Sequence, residues 1–172
     1  MKGSVLKPIK NNTMTIPGYF PSRKMDKFIK VRTLREYAFL YFLEFISSVI
    51  SYKYEPSPFE YYMQGEFHEY TPDFLVETMV DSFIFEVKIQ EYLKNNREKL
   101  EFASEAIEEE GYKFRVVTQE TLFKQPRFDN LKALYYYAPC EIELDQYARV
   151  ISILESNDGK MPLNTLVSEC EP

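Results

Sequence analysis

Four charged residues have types and placements that could do chemistry together: Glu36, Asp73, Glu86 and Lys88. Tyr70-Thr-Pro-Asp73-Phe-Leu-Val76 opens one apolar run, and Phe83-Ile-Phe-Glu86-Val-Lys88 closes the next. Residues two apart in a strand project to one face, so Glu86 and Lys88 point together while Val87 turns into the core. An antiparallel hairpin of the two runs would bring Asp73 beside Glu86 and Lys88, gathering two carboxylates and an ammonium at one sheet end. Hard divalent cations such as Mg²⁺ take oxygen ligands, typically one or two carboxylates completed by waters and substrate phosphate. An ion held by Asp73 and Glu86 would lower the pKa of bound water and neutralise charge on a phosphodiester, with Lys88 a positive donor beside it. Glu36 would complete the site if its helix packs against this end.

Each residue also has a purely structural reading. Thr33 and Glu36 fit the S/T-x-x-E capping box. Asp73 after Pro72 fits a turn at a strand entry, and Glu86 with Lys88 fits an exposed strand face carrying an ion pair. The conjunction favours a site: Phe-Leu-Val and Phe-Ile-Phe mark both strands as buried, and charges at the ends of buried strands need a reason.

The elements that must position these residues follow from periodicity. Residues 1–32, with Pro8, Pro17, Gly18 and Pro21, read as a looped basic lead-in. Leu34 to Ile46 is apolar around most of a helical circumference, as in a helix buried between other elements. Strands are expected at 49–55, 59–63 and 67–74, the last two joined by a tight turn at Gln64-Gly65, then at 74–76 and 83–87. The pattern turns helical from Glu91 to Glu110, with Gly111 at the C′ position, and a strand runs from Tyr112 to Thr118. Short helices are expected at 119–124 and 129–138, and beyond Pro139 at 145–155 and from Met161, with a turn at Asp158-Gly159. This order predicts an α/β (α+β) fold: a mixed sheet flanked by helices, with a core over 33–138 and a helical extension over 139–172.

Composition bounds the possibilities. With 172 residues, 45% hydrophobic, 28% charged and 28 Phe and Tyr, the chain can bury a sizeable core. Its longest greasy stretch, 37–50, carries Glu44 and is too short for a bilayer of about 30 Å. The first twelve residues lack the apolar segment of a secretory signal, so a cytoplasmic location is expected. Cys140 and Cys170 lie far apart and away from His68, signalling neither a disulfide framework nor a zinc site. The net charge of -6 hides an asymmetry: residues 1–35 hold nine Lys and Arg against Asp26 alone, a net of +8. Such an arm either meets a polyanion or is a solvated tail. Lys24, Lys27, Lys30 and Arg32, just ahead of the aromatic helix, are the candidate DNA contacts.

The Pro72-Asp73 … Glu86-Val87-Lys88 pattern resembles the PD-(D/E)xK nuclease superfamily, with its restriction-endonuclease-like fold. Gly18-Tyr-Phe-Pro-Ser-Arg-Lys24, Thr33-Leu-Arg-Glu36, Tyr70 to Val76, Phe85-Glu-Val-Lys88 and Gly111-Tyr-Lys-Phe-Arg-Val-Val-Thr118, in that order, are similar to the TnsA-type endonuclease subunit of heteromeric transposons. The resemblance covers roughly residues 16–138. It implies Mg²⁺, replaceable by Mn²⁺, at Glu36, Asp73, Glu86 and Val87, with Lys88 as the catalytic lysine. It further implies cutting of the 5′, non-transferred strands at transposon ends, alongside a TnsB-type transposase and a TnsC-type AAA+ ATPase. The chain departs from the family at Glu55-Pro56, where Gln-Pro is common, and after residue 145, where only the beginning of a winged-helix-like region is legible. Two other readings remain: a standalone nuclease of the superfamily, and a non-catalytic DNA-binding or assembly module of the same fold.

Overall fold

A computed structural model describes residues 18–139 and 142–170; Cys140 and the basic residues ahead of Gly18 lie outside them. The chain divides into two compact units, 1–133 and 134–172.

In the first unit, helix α1 (Leu34–Phe45) begins with a complete capping box. The Glu36 N–H donates to Thr33 Oγ1 at 3.2 Å, and Glu36 Oε2 accepts the Thr33 N–H at 3.0 Å. Ala38, Phe39, Leu40, Phe42 and Leu43 are all buried, as an apolar circumference requires.

Four strands form the central sheet, in the order β3 (Val49–Tyr54), β6 (Phe74–Thr78), β7 (Ser82–Lys88), β8 (Lys113–Thr118). The first three are antiparallel and β8 runs parallel to β7, so the expected mixed sheet is present. The parallel return uses helices α2 (Gln90–Asn95) and α3 (Arg97–Glu109). The sequence predicts one helix there; the structure breaks it at Asn96, whose side-chain amide donates to the Tyr92 carbonyl at 2.9 Å. Such competition with the backbone ladder is what Asn offers inside a helical run. After α3, Gly111 adopts φ +90°, and the Gly111 and Tyr112 N–H groups close onto the Glu108 and Ile107 carbonyls in a Schellman motif.

Strands β4 (Phe59–Met63) and β5 (Glu66–Tyr70) form a separate hairpin, turning through Gln64 and Gly65, both at positive φ. The strand expected over 67–74 therefore ends at Tyr70. Pro72, which has no N–H, interrupts pairing, and the chain re-enters the central sheet at Phe74.

A larger difference concerns the lead-in. Residues 18–31 are a hairpin of β1 (Gly18–Ser22) and β2 (Lys27–Val31), not a loop. Phe20, Ser22, Ile29 and Val31 alternate inward, a signal hidden by the shortness of the strands and by Pro21, which a two-stranded edge tolerates. The hairpin is tied to α1 through Glu44, whose carboxylate accepts from Ser22 Oγ, the Tyr52 hydroxyl and the Arg23 and Lys24 N–H groups.

Sheet parity then sorts the core. Phe74 and Phe85 pack against Phe39 of α1 at ring separations of 5.2 and 5.1 Å. Ile84 joins Phe59, Tyr61, Tyr70, Leu100, Ala103 and Ile107 on the opposite face, under α3 and the β4–β5 hairpin. Helices α4 (Gln119–Leu122) and α5 (Arg127–Tyr137) follow β8. The second unit holds the rest of α5 and two helices, α6 (Leu144–Glu155) and α7 (Leu163–Cys170), joined by a turn with Asp158 and Gly159 at positive φ. It contains no strand among the described residues.

Phe74 is fully buried between the Phe39 and Tyr54 rings. Phe74→Ala is expected to cost about 3–5 kcal/mol, read as a lower urea unfolding midpoint with an unchanged slope.

Candidate active site

The register of β6 and β7 creates the site. Phe74 pairs with Phe85, so one step further Asp73 meets Glu86. The Asp73 N–H donates to Glu86 Oε2 at 3.2 Å, and the Val87 N–H donates to Asp73 Oδ2 at 2.7 Å. Lys88 Nζ lies 2.8 Å from Glu86 Oε1 and 3.1 Å from Asp73 Oδ2. Asp73 is 9% exposed and Glu86 only 2%. Asp73, Glu86 and Lys88 thus converge at the sheet end, on the face shared with Ile84. Tyr92, at the start of α2, places its ring 5.5 Å from the Lys88 ammonium.

Two buried carboxylates share one cation, and the surplus charge falls on Asp73. Burial first and the Glu86 charge second push its carboxyl up to about 7, against the opposing pull of Lys88 and the Val87 N–H. Burial works against the Lys88 ammonium, but Asp73 and Glu86 together hold it above its ordinary value. Such a pair has the donor chemistry of a hard divalent cation: close oxygens with uncompensated negative charge. Among the described residues, no group of three or more His, Cys, Asp or Glu side chains is placed to hold a metal ion. The fit is therefore to an ion held by two carboxylates and completed by waters and phosphate, a common arrangement for Mg²⁺. Val87 contributes backbone only, since its side chain is buried.

Glu36 does not join the pair. Its Oε2 accepts from the Arg32 and Thr33 N–H groups and from the Tyr54 hydroxyl at 2.9 Å, which fixes it as the cap of α1. That helix packs on the other face of the sheet, so Glu36 reaches Asp73 only as a weak additional charge. Glu36 thus caps α1 through Oε2, with Tyr54 as an unforeseen partner, and is not grouped with Asp73 and Glu86 in this structure.

The four basic candidates separate in the same way. Lys24 donates to the Leu43 and Ile46 carbonyls, both at 2.8 Å, closing the C-terminus of α1; burial lowers its pKa, with Glu44 opposing. Arg32 forms a two-pronged pair with Glu55 at 2.7 and 2.8 Å, which gives that departing carboxylate a partner. Lys27 and Lys30 are exposed on β2, with Tyr19 and Phe28 exposed beside them on the hairpin's outer surface. His68 stacks on Tyr61 at 5.3 Å. Sequence spacing had no means of finding Tyr54 or the Glu44 network, because their partners lie 8 to 30 positions away along the chain.

The Asp73 shift has a signed consequence. Its folded-state pKa lies above the unfolded value of 3.8, so the stability its proton supports is complete below about pH 4 and is lost as pH rises through about 7. In chelator, thermal melts are expected to fall from pH 5 to pH 8, and Asp73→Asn is expected to flatten that decline.

No helix among the described residues is long and apolar enough to cross a membrane. A comparison with curated proteins finds no match. Residues 47–119 match the family described as "TnsA-like endonuclease N terminal", a span that runs from β3 to α4 and contains Asp73, Glu86 and Lys88 but neither Glu36 nor the basic hairpin. With the mixed sheet, its helices and the acidic pair in place, this segment is similar to the TnsA-like endonuclease N-terminal domain, and the sheet and helices around it are those of a restriction-endonuclease-like fold.

Proposed function

We propose that the protein is a Mg²⁺-dependent DNA endonuclease subunit of a heteromeric transposase, cutting the 5′, non-transferred strands at transposon ends. The observation that carries this reading is the buried Asp73–Glu86 pair with Lys88, set within a TnsA-like domain. Asp73 and Glu86 would hold the ion, with the Val87 N–H fixing the Asp73 carboxylate. When bound, the ion supplies a water of lowered pKa and neutralises phosphate charge. Lys88 would offer its ammonium to the scissile phosphate as the attacking water loses a proton to solvent and its oxygen bonds to phosphorus, while the P–O bond to the leaving oxygen breaks and that oxygen takes a proton from solvent. Glu36 acts at a distance, by keeping α1 capped. Lys27 and Lys30 supply phosphate contacts, while Lys24 and Arg32 serve the fold.

The acidic remainder of the chain favours recruitment by partners over independent tight DNA binding. The partners proposed are a TnsB-type transposase, which processes the 3′ ends, and a TnsC-type AAA+ ATPase.

Reconstituted with such a transposase, transposon-end DNA and Mg²⁺, the chain is expected to nick the 5′ strand. Asp73→Ala and Lys88→Ala should each lower that nicking by about 100-fold or more while leaving 3′ processing intact. Undiminished nicking in either variant contradicts the proposal, and cleavage of plain duplex by the isolated chain favours a standalone nuclease. Lys27→Glu with Lys30→Glu should weaken DNA association and reduce its salt slope by roughly 2. Fluorescence anisotropy at graded salt measures this.

A further inference from the structure

Tyr70 closes β5 two residues before Pro72 and is only 4% exposed. Its ring is held within the Phe59, Tyr61, Ile84 and Leu100 cluster, with Phe114 edge-on at 6.3 Å and the Lys99 ammonium 5.8 Å from its centroid. The hydroxyls of Tyr52 and Tyr54 both donate to carboxylates. The Tyr70 hydroxyl is buried and makes no hydrogen bond. A buried phenol without a well-formed hydrogen bond loses solvation with little in exchange, so its retention calls for a cause. Burial first, then the Glu86 charge and the approach of its carboxylate, raise the Tyr70 phenol, so the hydroxyl lies beside Glu86 without a well-formed hydrogen bond to it. It is therefore a buried donor next to Glu86 that no hydrogen bond of good geometry uses.

In this structure the oxygens of Glu86 are served by others: Oε1 by the Lys88 ammonium at 2.8 Å and Oε2 by the Asp73 N–H at 3.2 Å. A divalent cation placed on the carboxylates would repel the Lys88 ammonium and take away the donor on Oε1. We infer that Tyr70 is a positioning residue of this site, its phenolic O–H donating to Glu86 and fixing that carboxylate once a divalent cation displaces Lys88. The inference rests on the metal-dependent reading proposed above. It assigns Tyr70 the part that partners of metal-ligating carboxylates play, orienting the ligand and tuning its basicity.

Tyr70→Phe keeps the ring and removes only the oxygen. Mn²⁺ binding to the full chain, followed by calorimetry and by the electron paramagnetic resonance of the free ion, separates the outcomes. The variant is expected to melt at the same or a higher temperature in chelator, because an unpaired hydroxyl has been deleted. It is also expected to bind Mn²⁺ about 10-fold more weakly than the unmodified chain. Asp73→Asn should abolish that binding. Equal Mn²⁺ affinity for Tyr70→Phe and the unmodified chain overturns the inference and leaves the nuclease reading standing. A marked drop in the chelator melting temperature of Tyr70→Phe also overturns it, by showing the hydroxyl already bonded in the resting protein. Absence of Mn²⁺ binding by the unmodified chain overturns both.

Discussion

The antiparallel pairing of β6 with β7 brings two carboxylates into a space where only one ammonium answers them. With Phe74 opposite Phe85, Asp73 has no course but to face Glu86, and the bulk of Phe39, Phe74 and Phe85 behind them prevents the strand ends from parting. Burying ionised groups costs several kcal/mol per ion unless charge and hydrogen bonds compensate. Compensation here is partial: Lys88 and two backbone N–H groups serve two acids, and Asp73 responds by holding its proton to about pH 7. A self-sufficient ion pair would leave no such deficit. The deficit is what a divalent cation would relieve, and it links the sheet register to the metal-dependent chemistry proposed.

The rest of the unit keeps that arrangement rigid. Helix α1 covers one sheet face and is secured at both ends, by Glu36 and Thr33 at its start and by Lys24 at its finish. Glu44 binds the β1–β2 hairpin to the same helix, and Arg32 with Glu55 joins the hairpin's exit to the end of β3. The Glu55 N–H in turn donates to the Asp73 carbonyl at 2.9 Å, so this chain of contacts ends on the site's own backbone. Charged residues around the site thus divide into those that hold the scaffold and those left to act.

Much of this was legible from residue order. The β4–β5 turn shows itself in Gln64-Gly65, the end of α3 in Gly111, and the meeting of Asp73 with Glu86 and Lys88 in two apolar runs ending in charge. Parity along β7 was enough to place Glu86 and Lys88 together. Periodicity is blind to which sheet face a helix covers, so it could not show that α1 packs on Phe74 and Phe85, away from the face of the acidic pair. It was equally blind to tertiary partners: Lys24 looked like part of a basic arm until its carbonyl acceptors on α1 were in view. The β1–β2 hairpin was hidden because Pro21 and Gly18 read as breakers while its inward residues are too few to establish a period of two.

The central claim is that the Asp73–Glu86 pair is a cation site and not a closed ion pair. Anomalous diffraction from crystals of the full chain soaked in Mn²⁺ tests it directly. The account predicts a peak within ligand distance of oxygens from both Asp73 and Glu86, with the Lys88 ammonium moved off them. A map showing Lys88 still seated on both carboxylates and no peak beside them would contradict it.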